Sequence, residues 1–267
     1  MEPSRRPPAL LPTPSGGCLE HLVRGTGAPT TVYAHGLGGS IGQTRPLAAG
    51  VAGRRAFFHF RNHGGSRAAD ERYDYAALAR ELDAVADHVG ATRALGVSMG
   101  AGAILRSLVD RPGRFERVVL FLPGVVDRPR TDAALDRFGV MASCVERGDV
   151  DGLMTLLIDE VPPEARESME ARRYVRHRAL ALVGAPVAPM LRGLPGHLPV
   201  DDRAALRGVD VPALVVGQHG DELHPVAVAE DLAQALPRAR LHVLDDPWPL
   251  FHARRELRAL LAGFLDG

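Results

Sequence analysis

The sequence contains no lysine. All 32 of its basic residues are arginine, balanced by 32 acidic residues to a formal net charge of zero. Without lysine there is no Schiff-base catalysis and no phosphate-cradling P-loop. Charge balance also implies no polyanionic partner, so neither nucleic acid nor a membrane surface is expected. Cysteine is scarce: Cys18 and Cys144 stand far apart, at no metal or redox spacing. They read as free thiols of a reducing compartment. Long apolar runs are missing, and nothing approaches membrane-spanning length. Residues 1–17 are proline-rich and lack the apolar core of a secretory signal. A soluble, cytoplasmic protein is expected, monomeric by default, acting on a small molecule without metal or cofactor.

What is present is 46% hydrophobic content over 267 residues, enough to bury one large core. Residues 1–16 read as a flexible lead-in. Apolar stretches at 18–23, 30–34, 56–60, 93–95 and 118–122 predict strands. Leu78, Leu82, Val85 and Val89 give 75–89 a helical spacing. At Asp127 this alternation stops. Segments 132–147, 150–159, 163–183 and a proline-broken stretch through Pro199 predict three or four helices and no strand. The alternation resumes with a strand at 213–216, a helix at 226–236, a strand at 241–244 and a helix at 254–265.

The expected fold class is therefore α/β, with a mostly parallel central sheet covered by helices on both faces. Residues 17–126 and 207–267 form its core, and 127–206 an all-helical cap inserted between two sheet strands. Such a cap belongs over the carboxyl edge of the sheet, where ligands bind and a lid excludes water. An independent helical module is the alternative.

The chain is organised around Gly96-Val97-Ser98-Met99-Gly100. A short apolar strand enters it and an Ala/Gly-rich helix, from Ala101 to about Val109, leaves it. A serine at the apex of so sharp a turn takes a strained backbone, and small neighbours keep strand and helix from colliding. Upstream lie His35-Gly36-Leu37-Gly38-Gly39 and His63-Gly64-Gly65-Ser66. Downstream comes Gly220-Asp221-Glu222-Leu223-His224-Pro225.

Taken together, these four motifs resemble the successive landmarks of the α/β-hydrolase fold, from about Cys18 to the C-terminus. The resemblance implies Ser98 as nucleophile and Asp221 as the acid. It also implies the backbone N–H groups of Leu37 and Met99 as the oxyanion hole. Family members place the histidine shortly after the last strand, commonly as a Gly-His pair. Here that loop reads Asp245-Asp246-Pro247-Trp248-Pro249-Leu250-Phe251-His252, so His252 is expected as the base, offset and without its glycine. His224 is a rival, read as a structural residue of the acid loop; His242 reads as a strand histidine. His35 is expected to brace the glycine loop. Asp70, Asp127, Asp245 and Asp246 read as surface or turn residues, with Asp127 a possible displaced acid.

The chemistry needs these groups independently of the family. A serine hydroxyl requires an adjacent base, and the base a carboxylate to fix its tautomer. Developing charge on the substrate carbonyl requires pre-aimed N–H donors, each worth roughly 3 kcal/mol. Serine at the nucleophile position argues against epoxide-hydrolase or dehalogenase chemistry, which in this family uses a carboxylate. The expected reaction is hydrolysis of a small, largely apolar carboxylic ester, thioester or lactone. Leu153, Met154, Leu156 and Leu157 suit an apolar acyl group or the core of the cap. Carbon–carbon bond hydrolysis by the same residues, and a ligand-binding protein on the same scaffold, are the alternatives.

Overall fold

The computed structural model describes residues 7–13, 16–245 and 253–267. Its centre is an eight-stranded sheet built from β1 (Ala9–Pro12), β2 (Cys18–Arg24), β3 (Thr30–Ala34), β4 (Arg54–Phe58), β5 (Arg93–Val97), β6 (Arg117–Phe121), β7 (Ala213–Gln218) and β8 (Ala239–Leu244). The order is β1-β2-β4-β3-β5-β6-β7-β8. β1 pairs with β2, and β2 with β4, antiparallel; every later pairing is parallel.

Nine α-helices are described: α1 (Ile41–Thr44), α2 (Tyr75–Val89), α3 (Met99–Asp110), α4 (Asp132–Arg147), α5 (Val150–Ile158), α6 (Met169–Val183), α7 (Ala188–Gly193), α8 (Val226–Ala235) and α9 (Arg254–Asp266). None is long and apolar enough to cross a membrane singly. Successive strand residues point to opposite faces, which splits the core in two. Val32, Ala34, Ala94, Val118 and Leu120 pack with α2, α3 and α8. Tyr33, Leu95, Val119 and Val216 pack with Leu47 and with Leu257, Leu261 and Leu265 of α9. With helices on both faces, every residue of β3 and β7 is buried, Thr30, Thr31 and Gln218 included.

Several boundaries differ from expectation, and three of the differences have a local cause. The lead-in is not loose throughout: Ala9–Pro12 extends the sheet as edge strand β1, where Pro12 lacks no needed donor. β4 ends at Phe58 rather than at 60, because the Phe60 N–H is taken by the His35 ring instead of a neighbouring strand. The helix expected over 163–183 begins only at Met169. Ser168 caps it by accepting from the Ala171 N–H, and Pro163–Ala165 forms a separate 3-10 turn.

Between β6 and β7 the described chain is helical, as expected, and contains no strand. Thr131 and Asp149 cap α4 and α5 through the N–H groups of Ala134 and Gly152. Leu153 and Leu157 are fully buried among these helices, so they form helix-to-helix core and cannot line an acyl pocket. The two ends of the segment are tied by Asp127 and Arg203, a bidentate pair with both contacts at 2.7 Å. Leu182 of α6 lies over the glycine loop after β3; a Cβ on Gly38 would stand 2.8 Å from its Cδ2.

Candidate active site

The functional motifs converge at the carboxyl ends of β3, β5 and β7. Ser98 follows β5 with φ 51° and ψ −107°, a left-handed conformation that a side chain adopts only under constraint. Two glycines make the turn possible. A Cβ on Gly96 would lie 2.4 Å from the Gly100 carbonyl, and one on Gly100 would lie 2.4 Å from the Ala34 oxygen. Glycine at both positions is a steric requirement.

From this apex a hydrogen-bonded chain runs across the sheet edge. Ser98 Oγ lies 2.8 Å from His224 Nε2, and His224 Nδ1 lies 2.8 Å from Asp221 Oδ2. With a carboxylate at one ring nitrogen and a hydroxyl at the other, the partners assign Nδ1 as donor and Nε2 as acceptor. Asp221 Oδ1 accepts from the N–H groups of Leu223 and His224, which closes acid and imidazole into one turn. Burial pushes the Asp221 carboxyl up, but the bonds from the His224 ring and from the turn outweigh it and hold the group below its ordinary value. Neither side chain is sealed off: His224 is 17% and Asp221 19% exposed.

The structure thus joins Ser98 and Asp221 through His224, the residue read from sequence as structural. His252, expected as the base, lies outside the described residues. The available signal was the Asp-x-x-His spacing, which on one tight turn brings a carboxylate and an imidazole together. Asp127 binds Arg203, and Asp231 shares that arginine. Asp70 binds Arg61, Asp245 is fully exposed, and His242 lies on an exposed position of β8; Asp246 falls outside the described residues.

The loop after β3 lies against Ser98. A Cβ on Gly36 would be 3.5 Å from Ser98 Cβ, an ordinary contact. Leu37 is in that loop and Met99 opens α3. Neither N–H meets an acceptor among the described residues.

Three histidines hold the loop from behind. His63 Nε2 accepts from the Gly38 N–H at 2.9 Å, and His59 Nε2 from the Ile41 N–H at 3.1 Å. His35 donates from Nδ1 to the Gly36 carbonyl and accepts at Nε2 from Phe60, which is the bracing expected of it. Burial holds all three imidazoles below the usual histidine range, His63 to about 4, so the neutral acceptor form prevails. Glu20 completes the support by accepting from His59 Nδ1 and the Gly65 N–H. Among the described residues no group of three or more His, Cys, Asp or Glu is placed to hold a metal ion.

Solved structures share this architecture. An esterase from Thermogutta terrifontis superposes with a TM-score of 0.79 at 20% identity, covering 96% of this chain and 97% of that one. An enol-lactonase from Burkholderia xenovorans gives 0.76 at 19% identity, covering 97% and 100%. An α/β-hydrolase enzyme from a deep-sea metagenome gives 0.79 at 15% identity, covering 97% and 98%. The chain has the α/β-hydrolase fold.

No family model matches this sequence. Two curated proteins are similar in sequence. A homoserine O-acetyltransferase from Salinibacter ruber is 30% identical over 129 residues, which is 45% of this chain and 36% of that protein. A polyketide synthase, ThaQ, from Burkholderia thailandensis is 29% identical over 251 residues, 90% of this chain but 12% of that protein. The chain therefore matches well under two thirds of the length of either relative. Where the fold family places its histidine after the last strand, this chain brings His224 to the serine from the loop after β7.

Proposed function

We propose that this α/β-hydrolase is a serine hydrolase in which Ser98 is the nucleophile, His224 the general base and Asp221 its orienting acid. The substrates proposed are carboxylic esters, thioesters or lactones with a small, largely apolar acyl part. The observation that carries the reading is the unbroken chain of 2.8 Å contacts from Ser98 Oγ through the His224 ring to Asp221.

In the reaction, Ser98 Oγ attacks the carbonyl carbon while His224 Nε2 takes its proton. The Leu37 and Met99 N–H groups donate to the oxyanion, helped by the positive end of α3. Collapse expels the alcohol, thiol or tethered hydroxyl, protonated by His224 Nε2–H, and leaves an acyl ester on Ser98. Water then attacks that ester, giving its proton to His224; collapse breaks the bond to Ser98 Oγ, which takes that proton back from His224 Nε2–H, and the acid is released. The helical segment 127–206 acts as a cap, its Leu182 lying over the oxyanion loop. The similarity to an esterase and an enol-lactonase supports the substrate class.

The test is fluorophosphonate labelling read by intact mass on wild type, Ser98→Ala, His224→Ala and His252→Ala, followed by a panel of short-chain esters, thioesters and lactones. Expected is labelling of wild type and His252→Ala, with none in Ser98→Ala and very slow reaction in His224→Ala. Labelling that depends on His252 and not on His224 would return the base to the last loop. A wild type that never labels would sink the hydrolase and leave a ligand-binding protein on this scaffold. Turnover confined to a diketone would point to carbon–carbon hydrolysis.

A further inference from the structure

Arg130 stands between β6 and α4, at the root of the helical segment. Its Nη1 donates to the Leu223 carbonyl at 2.8 Å. Leu223 lies inside the Asp221–His224 turn, and its own N–H donates to Asp221 Oδ1. The residue between acid and imidazole is thus held at one end by the acid and at the other by the guanidinium.

The guanidinium is itself fixed on two sides. Its Nη2 edge abuts Gly124, where a Cβ would stand 2.3 Å from Nη2 and 3.1 Å from Cζ. The ring of Phe138, from α4, stacks on it with 5.3 Å from Cζ to the centroid. Nearby Arg203 has both Asp127 and Asp231 as ion-pair partners; Arg130 has none among the described residues. Tyr75 and Asp221 are the ionisable groups close enough to favour its charge. Taking a guanidinium partly out of water without an ion pair is costly, so its bond to the turn and its attraction to Asp221 are what offset that cost.

We propose that Arg130 is a positioning residue that clamps the Asp221–His224 turn to the root of the helical segment. The orientation of the imidazole toward Ser98 then depends on how that segment is seated. The catalytic meaning of this clamp rests on the hydrolase reading above; the clamp itself does not.

The experiment therefore has two readouts. Long-range ¹H–¹⁵N correlation of the His224 ring, assigned by its loss in His224→Ala, reports the tautomer through carbon-bound protons. Fluorophosphonate labelling rates report the serine. Variants are Arg130→Met, Arg130→Lys and Gly124→Ala, the last pressing the guanidinium away while leaving the arginine in place. Expected in Arg130→Met is a mixture of tautomers in place of the single Nδ1-protonated form, with labelling slowed roughly 10- to 100-fold and a cooperative melt retained. Arg130→Lys should restore part of both, and Gly124→Ala should reproduce the defect. If Arg130→Met does not fold, Gly124→Ala decides. Wild-type tautomer and labelling rate in either variant would overturn the clamp. A wild type that shows the single tautomer but never labels would defeat the hydrolase reading while the ring signal still judged Arg130.

Discussion

Asp221 and His224 lie three residues apart on one turn, with Oδ2 of the first 2.8 Å from Nδ1 of the second. Acid and imidazole are therefore positioned by local chain geometry. The contact that brings this turn to the serine, from His224 to Ser98, spans 126 positions of sequence and has to be made by the fold.

Asp221→Asn should leave the fold intact and remove the preference for the Nδ1–H tautomer. Labelling and ester turnover should fall by roughly 10³- to 10⁴-fold, the cost of presenting the wrong tautomer to a nucleophilic serine. Steady-state kinetics with the best ester of the panel checks this, with kcat carrying the loss. An Asp221→Asn enzyme within a few-fold of wild type would mean another group orients His224.

Acid should destabilise the protein through its three loop-bracing histidines. Their folded pKa values are lowered from 6.5, His63 to about 4, so between those limits the unfolded chain binds more protons than the folded one. The contribution of His63 is then full above about pH 6.5 and declines as pH falls toward 4, by up to about 1.4 kcal/mol per pH unit, and His35 and His59 add to the loss in the same direction. Urea unfolding at pH 7.5, 6, 5 and 4.5 measures the slope. His63→Asn, which can accept from Gly38 without titrating, should flatten it; an unchanged slope in that variant would remove His63 from the account.

Gly100→Ala should fail to fold or melt far lower, since the new methyl would stand 2.4 Å from a backbone oxygen of β3 that cannot move aside. Gly113→Ala is the control for lost glycine freedom, because its Cβ meets nothing within 4 Å although φ is +82°. Thermal melts of both, with the Gly113 variant losing no more than about 1–2 kcal/mol, separate collision from strain.

Arg61 and Glu81 form a pair buried beneath the second glycine loop, 2.7 Å apart with side chains only 4% and 8% exposed. Arg61→Met should cost about 3–5 kcal/mol, because it strands the Glu81 carboxyl, which burial already pushes up. The double variant Arg61→Met/Glu81→Leu should recover much of that loss in chemical denaturation. A single variant as stable as wild type would show the pair to be dispensable.

Much of this protein was legible in its sequence. The strand at Thr30–Ala34 and the helices at Tyr75–Val89 and Asp132–Arg147 fall where apolar periodicity put them, because an element buried on one face or two must write that burial into its residues. The elbow was legible for a related reason: Gly96 and Gly100 are forced by backbone contacts that no side chain could survive. The end of β4 was not legible, since it depends on a hydrogen bond from Phe60 to His35, 25 residues away. Nor was the pairing of β1, a short edge strand with little apolar pattern of its own.

What the sequence alone determined is the fold class, the tight strand-to-helix turn at Ser98 and the Asp-x-x-His turn, each encoded by local pattern and spacing. Tertiary structure decided which histidine stands beside Ser98. Sequence order ranked the candidates by their distance from the last strand, but a proton moves across 2.8 Å of space. That distance belongs to His224 because the ends of β5 and β7 lie on one edge of the sheet, with β6 between them.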